Sequence, residues 1–261
     1  MEPRHGRQQG NNADYRWNRF DSTDYFQHNY SALRHDDGQI LEAIRDFFCK
    51  ADRAAAAPKD APEDRPVRGL DLGSGTNLYP ALAMLPFCAE LTLWEYSTGN
   101  VEWLSREIRS YSTSWDLFWD RLAPAPQYQR IANPRAALAE RARVHQGSVF
   151  DLPAGRWDIG TMFFVAESMT SSRAEFEAAT HRFIRALRPG APFAAAFMEN
   201  SRGYRVGDSW YPAVAVTQEI VRNCLEEDSG NLDVQRVDPG NEPLRDGYSG
   251  MILVLGTAGT G

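Results

Sequence analysis

Cysteine is scarce in this chain of 261 residues, and the three present, Cys49, Cys88 and Cys224, lie far apart. No pair has metal-ligand spacing and none reads as a disulfide framework, so no metal is expected. Each should pack as a small apolar side chain in a reducing compartment. Long apolar runs are missing too: no segment approaches the roughly eighteen residues that cross a bilayer. Residues 1–12 are polar and lack the apolar stretch of a secretory signal, so a cytoplasmic location is expected. Positive charge is nowhere concentrated. With 28 basic against 35 acidic side chains, a formal charge of −7 and no Lys/Arg stripe, neither nucleic acid nor a membrane is an expected partner. Internal repeats and a second apolar core are also absent. What remains is 43% hydrophobic residues, enough for one α/β core, and a small molecule as the expected partner of a monomer or weak homodimer.

The chain is organised around Val67-Arg68-Gly69-Leu70-Asp71-Leu72-Gly73-Ser74-Gly75-Thr76-Asn77-Leu78-Tyr79. An apolar run carrying an acid meets a Gly-Ser-Gly turn and continues into helix-compatible sequence. This is the grammar of the first strand, turn and helix of a doubly wound sheet. Glycines there let the backbone approach a ligand where a Cβ would intrude. Residues 91–95 read as the next strand and end in Glu95, about twenty residues past the turn, where such sheets bind ribose hydroxyls. The third glycine of a dinucleotide fingerprint is replaced by Leu78. A nucleoside ligand survives that loss, and S-adenosylmethionine fits the pattern better than NAD.

Around this centre the chain divides into a tail (1–13, expected to be mobile) and a single domain (14–261). Its first part, 14–57, combines an aromatic block with a helix. Trp17, Phe20, Tyr25, Phe26 and Tyr30 lie close together, with His28 among them, and such a stripe serves either as core or as a lid over a ligand. Residues 37–56 have helical spacing, and 58–66 form a Pro-rich loop. Asn100 is expected to cap a helix running to Ile108. Residues 111–135 read as an insertion that packs Trp115, Phe118 and Trp119 near the site. Asn133-Pro134 opens a helix to Arg141. Strands are expected at 143–149, 157–165, 192–198, 232–237 and 251–256, and helices at 174–187 and 217–226. The segment between Glu199 and Thr217, rich in Gly and Ser, reads as a loop.

Several blocks together resemble the nicotinamide/phenylethanolamine/thioether small-molecule methyltransferase family, a class I S-adenosylmethionine group. They are Phe20-Asp21-Ser22-Thr23-Asp24-Tyr25-Phe26-Gln27-His28-Asn29-Tyr30, Asp71-Leu72-Gly73-Ser74-Gly75 with Tyr79, Glu95-Tyr96-Ser97 with Asn100, and Leu187-Arg188-Pro189-Gly190 with Met198-Glu199. The resemblance runs from about residue 20 to 256. It implies a Rossmann-like seven-stranded sheet with helices on both faces, its last strand antiparallel, and a lid before it. It also implies that Tyr25 and Tyr30 cover the methionine end, with Gly73, Ser74 and Gly75 close to methionine and ribose and Tyr79 lining the pocket. Glu95, Tyr96 and Asn100 would hold the ribose edge. The chain departs from the family where Thr76-Asn77 replaces Pro-Thr, and where Ser148-Val149 replaces the Asp-Val that holds adenine. Asp151 is a candidate substitute there.

The implied chemistry is methyl transfer to a nitrogen of a small aromatic or amine substrate, of the kind found in bacterial secondary metabolism. C-methylation of an electron-rich ring such as an indole, or a non-catalytic scaffold, are the alternatives. Positioning a neutral nucleophile is the main task. Glu199, His28 and Tyr30 are the candidate catalytic groups. Trp17, Phe164, Glu167, Glu199, Tyr204 and Trp210 are the candidate acceptor contacts. The tetrad of amine-modifying DNA enzymes is absent, since Val165-Ala166-Glu167-Ser168 occupies its place.

Overall fold

A computed structural model describes residues 10–51, 65–239 and 247–259. The expected mobile tail therefore lies outside the described residues up to position 9, and most of the expected Pro-rich loop does as well. Two runs of alternating apolar residues show how the sheet forms. Along β5 (Pro192–Glu199), Ala194, Ala196 and Met198 enter one apolar core, while Phe193, Ala195 and Phe197 enter another. Along β9 (Gly250–Ala258), Leu253 and Leu255 pair off against Ile252 and Val254 in the same way. Side chains alternate across a strand, so a strand apolar on both faces must lie between two layers of helix.

Seven strands lie in the order β3–β2–β1–β4–β5–β9–β8. β1 (Arg68–Leu72), β2 (Glu90–Glu95), β3 (Ala142–Gln146), β4 (Ile159–Phe163) and β5 run parallel. The last strand, β9, is antiparallel to both its neighbours, β5 and β8 (Ser229–Val237). On one face pack α2 (His35–Lys50), α3 (Tyr79–Met84) and α5 (Ser114–Leu122). On the other pack α8 (Arg173–Ala186) and α9 (Gln218–Leu225). Each buried Leu, Ile or Phe in these layers contributes about 1.5–3 kcal/mol against conformational entropy. Within the family-like segment from the turn onward, the switch point between β1 and β4 opens a crevice at the strands' carboxyl ends, where ligands of such sheets bind.

The remaining helices are α1 (Ser22–Asn29), α4 (Thr98–Glu107), α6 (Pro126–Gln129) and α7 (Pro134–Arg141). Asn133 caps α7 as expected, accepting from the Ala136 N–H at 3.0 Å. Asn100 caps nothing: α4 begins at Thr98, and the Thr98 N–H donates instead to Asn18 Oδ1 from the lid. A helix N–H needs an acceptor, and here a distant segment supplies it. The segment expected to be a loop after β5 contains a hairpin, β6 (Tyr204–Val206) paired with β7 (Ser209–Tyr211).

Candidate active site

The site grows from the glycine turn. Gly73 (φ +65°) and Gly75 (φ +54°) adopt left-handed backbone, and a Cβ on Gly73 would stand 2.5 Å from Val165. The turn is thus pressed against the loop after β4, with no room for a side chain between them. Facing it, Glu95 ends β2 with its carboxylate immobilised. Oε1 accepts the Tyr96 and Ser97 N–H groups at 2.8 Å each, and Oε2 accepts the Gly75 N–H at 2.9 Å. Burial raises its pKa, and these backbone donors with the Asn100 amide work against that rise. Asp71, within β1, is also buried. Burial pushes its pKa up to about 7, although Thr161 donates to its Oδ1 at 2.7 Å and Ser74 lies close by.

A cavity opens between this turn and the aromatic lid, and with its mouth it encloses about 850 Å³, within the range of small-molecule sites. One end is lined by Gly73, Ser74, Gly75, Glu95, Tyr96, Asn100, Ser148 and Val149. The other is lined by Asn12, Trp17, Phe20, Tyr25, Tyr30, Phe164, Met169 and Tyr204. Phe164, on the cavity wall, holds φ +61°, a conformation rare outside glycine.

The lid is latched from several directions. Ser22 Oγ donates to Asn100 Oδ1 at 2.7 Å, tying α1 to the part of the wall that carries Asn100. Ser97 Oγ donates to the Trp17 carbonyl at 2.8 Å, and the Gly207 N–H donates to Asp24 Oδ2 at 2.8 Å. Tyr211 of the hairpin stands 5.1 Å, centroid to centroid, from both Trp17 and Phe20, and stacks on Tyr204 at 5.6 Å. Even the end of the expected tail is docked. The Gly10 N–H donates to Ser171 Oγ at 2.7 Å and the Asn12 N–H to Glu175 Oε2 at 2.7 Å.

The structure therefore brings Trp17, Tyr25, Tyr30, Gly73, Ser74, Gly75, Glu95, Tyr96, Asn100, Ser148, Val149, Phe164 and Tyr204 to one cavity. Others stand elsewhere. Tyr79 lies one layer behind, edge-on to Tyr30 at 6.2 Å and to Phe163 at 5.6 Å. Glu167 is buried beside the cavity, its Oε1 accepting from the Met198 N–H at 2.9 Å. Glu199 is off the cavity wall, because Arg236 Nε and Ser249 Oγ hold its carboxylate at 2.8 and 2.7 Å. A pairing with a residue thirty-seven positions away has no local sequence signal. His28 is exposed on α1, and Trp210 is 55% exposed on the outer side of the hairpin. Trp115 and Phe118 are core, stacked behind Tyr30 and Tyr79 rather than lining the site. Ser148 caps the following turn, accepting from the Phe150 N–H at 3.2 Å, and Asp151 is exposed.

Asn12, Phe20, Met169 and Ser168 were not anticipated on the wall. Phe20 alone carried a signal, as part of the aromatic block.

Comparison with known proteins agrees with this geometry. The family model described as the NNMT/PNMT/TEMT family matches residues 8–242. No curated protein sequence matches the chain. Among solved structures, a protein of Galdieria sulphuraria assigned as a sarcosine dimethylglycine methyltransferase shares 12% identity at a TM-score of 0.56, covering 92% of this chain and 98% of its own. The N-methyltransferase NodS of Bradyrhizobium japonicum WM9, in complex with S-adenosyl-L-homocysteine, shares 9% at 0.50, covering 91% and 99%. The [4+2]-cyclase SpnF shares 14% at 0.51, covering 86% and 82%. At such identities the likeness is one of fold, and a cyclase among the neighbours illustrates that. With the family model spanning most of its length, the chain belongs to the NNMT/PNMT/TEMT family and is an S-adenosylmethionine-dependent methyltransferase acting on a small molecule.

Proposed function

We propose that the enzyme methylates a nitrogen of a flat, uncharged heteroaromatic acceptor. The observation that carries this reading is the composition of the cavity's lid end. Trp17, Phe20, Tyr25, Phe164, Met169 and Tyr204 present apolar faces, Asn12 and Ser168 are the polar contacts, and among the described residues no charged side chain lines that end. An aliphatic ammonium would be desolvated there without a counter-charge, at a cost of several kcal/mol. A neutral ring instead gains area burial and ring contacts.

The cofactor residues fit their role. Glu95 and Asn100 would hold the ribose edge, and the turn at Gly73 and Gly75 offers the close approach that a Cβ would forbid. When bound, S-adenosylmethionine supplies an electrophilic methyl on a sulfonium. The aromatic lid excludes water and holds the acceptor in line, and Tyr25 and Tyr30 offer faces suited to a cation, worth about 0.5–2 kcal/mol each. A ring nitrogen with a free lone pair needs no base. The carboxylates of Glu199 and Glu167 lie off the cavity wall, which supports this reading over C-methylation of an indole, where a base must take a ring proton. A place in secondary metabolism goes with this reading.

A panel of pyridines, quinolines, indoles and aliphatic amines, assayed with S-adenosylmethionine and resolved by mass spectrometry, tests it. Turnover is expected on pyridine-like nitrogens. Turnover confined to aliphatic amines, or methylation at an indole carbon, would overturn the assignment.

A further inference from the structure

Asp36 and Asp37 are adjacent buried acids in the first turn of α2, and their surroundings differ. Asp36 is well partnered. Its Oδ1 accepts the Asp37 N–H at 3.0 Å and lies 3.4 Å from Arg34 Nε, and its Oδ2 accepts the Tyr248 hydroxyl at 3.3 Å. Among the described residues Asp37 Oδ1 has no hydrogen-bond partner. The Tyr79 hydroxyl faces that carboxyl and eases its burial, yet the hydroxyl too completes no hydrogen bond of normal geometry. Among the described residues Asn77 Nδ2 and Thr76 Oγ1 are also buried without a hydrogen bond of normal geometry. Thr76 and Asn77 line the cavity, and Tyr79 packs against two rings that do. One buried acid, offset only in part by Tyr79 and Arg34, and three polar groups short of full pairing thus gather beside the glycine turn.

Packing does not account for them. A buried unpaired carboxylate costs several kcal/mol, and a neutral side chain of the same size would avoid that cost. The four groups call for a partner that offers both an anion and a cation. The amino-acid tail of S-adenosylmethionine carries a carboxylate and an ammonium, and Thr76 and Asn77 open onto the cavity beside the glycine turn. We propose that Asp37 is the counter-charge for the ammonium of that tail, with Asn77 donating to its carboxylate. A counter-charge acts across about 4–6 Å, so direct contact is not required. This role rests on the cofactor alone and is independent of the acceptor.

A pH signature follows. The groups facing Asp37 are Asp36 and Arg34 from its own segment, Tyr79 from α3, and Tyr248 from the segment before β9. Burial, and then Asp36, push the Asp37 pKa up to about 7. An ammonium brought close favours the ionised form, so binding is coupled to proton release near neutrality. Affinity for a tail-bearing ligand should then fall about tenfold from pH 8 to pH 6.

The test is calorimetric, on the full chain and its Asp37→Asn variant at pH 6, 7 and 8. The probes are S-adenosylhomocysteine, its desamino analogue, and 5′-methylthioadenosine, which lacks the tail. At pH 8 the unmodified protein should bind the desamino analogue at least tenfold more weakly than S-adenosylhomocysteine. The variant should bind those two equally, lose the pH dependence that Asp37 contributes, and bind 5′-methylthioadenosine within twofold of the unmodified protein. Equal binding of the two tail ligands by the unmodified protein would overturn the proposal, whether or not the variant folds. So would a parallel loss of 5′-methylthioadenosine binding in the variant, which would make Asp37 a scaffold residue.

Discussion

Glu95 shows how one side chain can organise a turn at the wall of a cavity. Its carboxylate accepts three backbone N–H groups, from Gly75, Tyr96 and Ser97, so it fixes the glycine turn against the end of β2 before any ligand arrives. Glu95→Ala should weaken S-adenosylmethionine binding at least tenfold, about 1.4 kcal/mol, by isothermal calorimetry. It should also lower the melting temperature, because orphaned buried N–H groups cost about 1–3 kcal/mol. Unchanged affinity would remove Glu95 from the ribose edge. This residue was legible in the sequence because its place depends only on strand, turn and spacing. Ser22 was not singled out, since its partner Asn100 lies 78 positions away, and Glu199 was misplaced because Arg236 captures it from β8. Local pattern shows where a strand ends, but not which distant side chain will meet its last residue.

At the scale of elements, the closed cavity is a joint product of the N-terminal segment and the β6–β7 hairpin. The aromatic block was legible as core or lid because its rings fall so close together; Trp17, Phe20, Tyr25 and Tyr30 line the cavity, whereas Phe26 packs as core on Trp103 and Trp115. The hairpin escaped notice because three-residue strands carry too short an alternation to read, although Gly207-Asp208 sits between them as a turn. Tyr211 joins the two elements, touching Trp17, Phe20 and Tyr204. Such ring pairs contribute about 0.5–1.5 kcal/mol each beyond area burial. Tyr211→Ala should therefore speed S-adenosylhomocysteine dissociation about tenfold or more in stopped-flow measurements. Hydrogen exchange should rise across residues 12–29 and stay unchanged in the central strands. An unaltered off-rate would mean that the lid is held by its hydrogen bonds to α4 and not by the rings.

For the whole molecule, the helices were legible from their spacing and the strands from their apolar runs, while the seven-stranded sheet with an antiparallel last strand came from the resemblance. The charge buried beneath the cavity was not, since Asp36 and Asp37 look like ordinary first-turn acids of a helix. Asp37 and Asp71 both have folded-state pKa values of about 7, raised chiefly by burial. For an acid whose pKa is raised on folding, the native state holds its proton more tightly than the unfolded chain does. The associated stability is complete below about pH 4 and is lost as pH rises towards 7. Above pH 7 each acid is ionised in both states and the native state bears the cost of burying it. Asp37→Asn removes one such charge without changing its size. Its advantage in melting temperature over the unmodified protein should be smallest below pH 4, should grow as pH rises towards 7 and should reach several degrees at pH 8, measured without ligand. Saturating S-adenosylhomocysteine at pH 8 should shrink that advantage, because the ligand stabilises the ionised Asp37 only where Asp37 is present. A pH-independent difference between the two proteins would mean that Asp37 is not the titrating group. An advantage that ligand leaves untouched would mean that the acid is tolerated for some reason other than the cofactor.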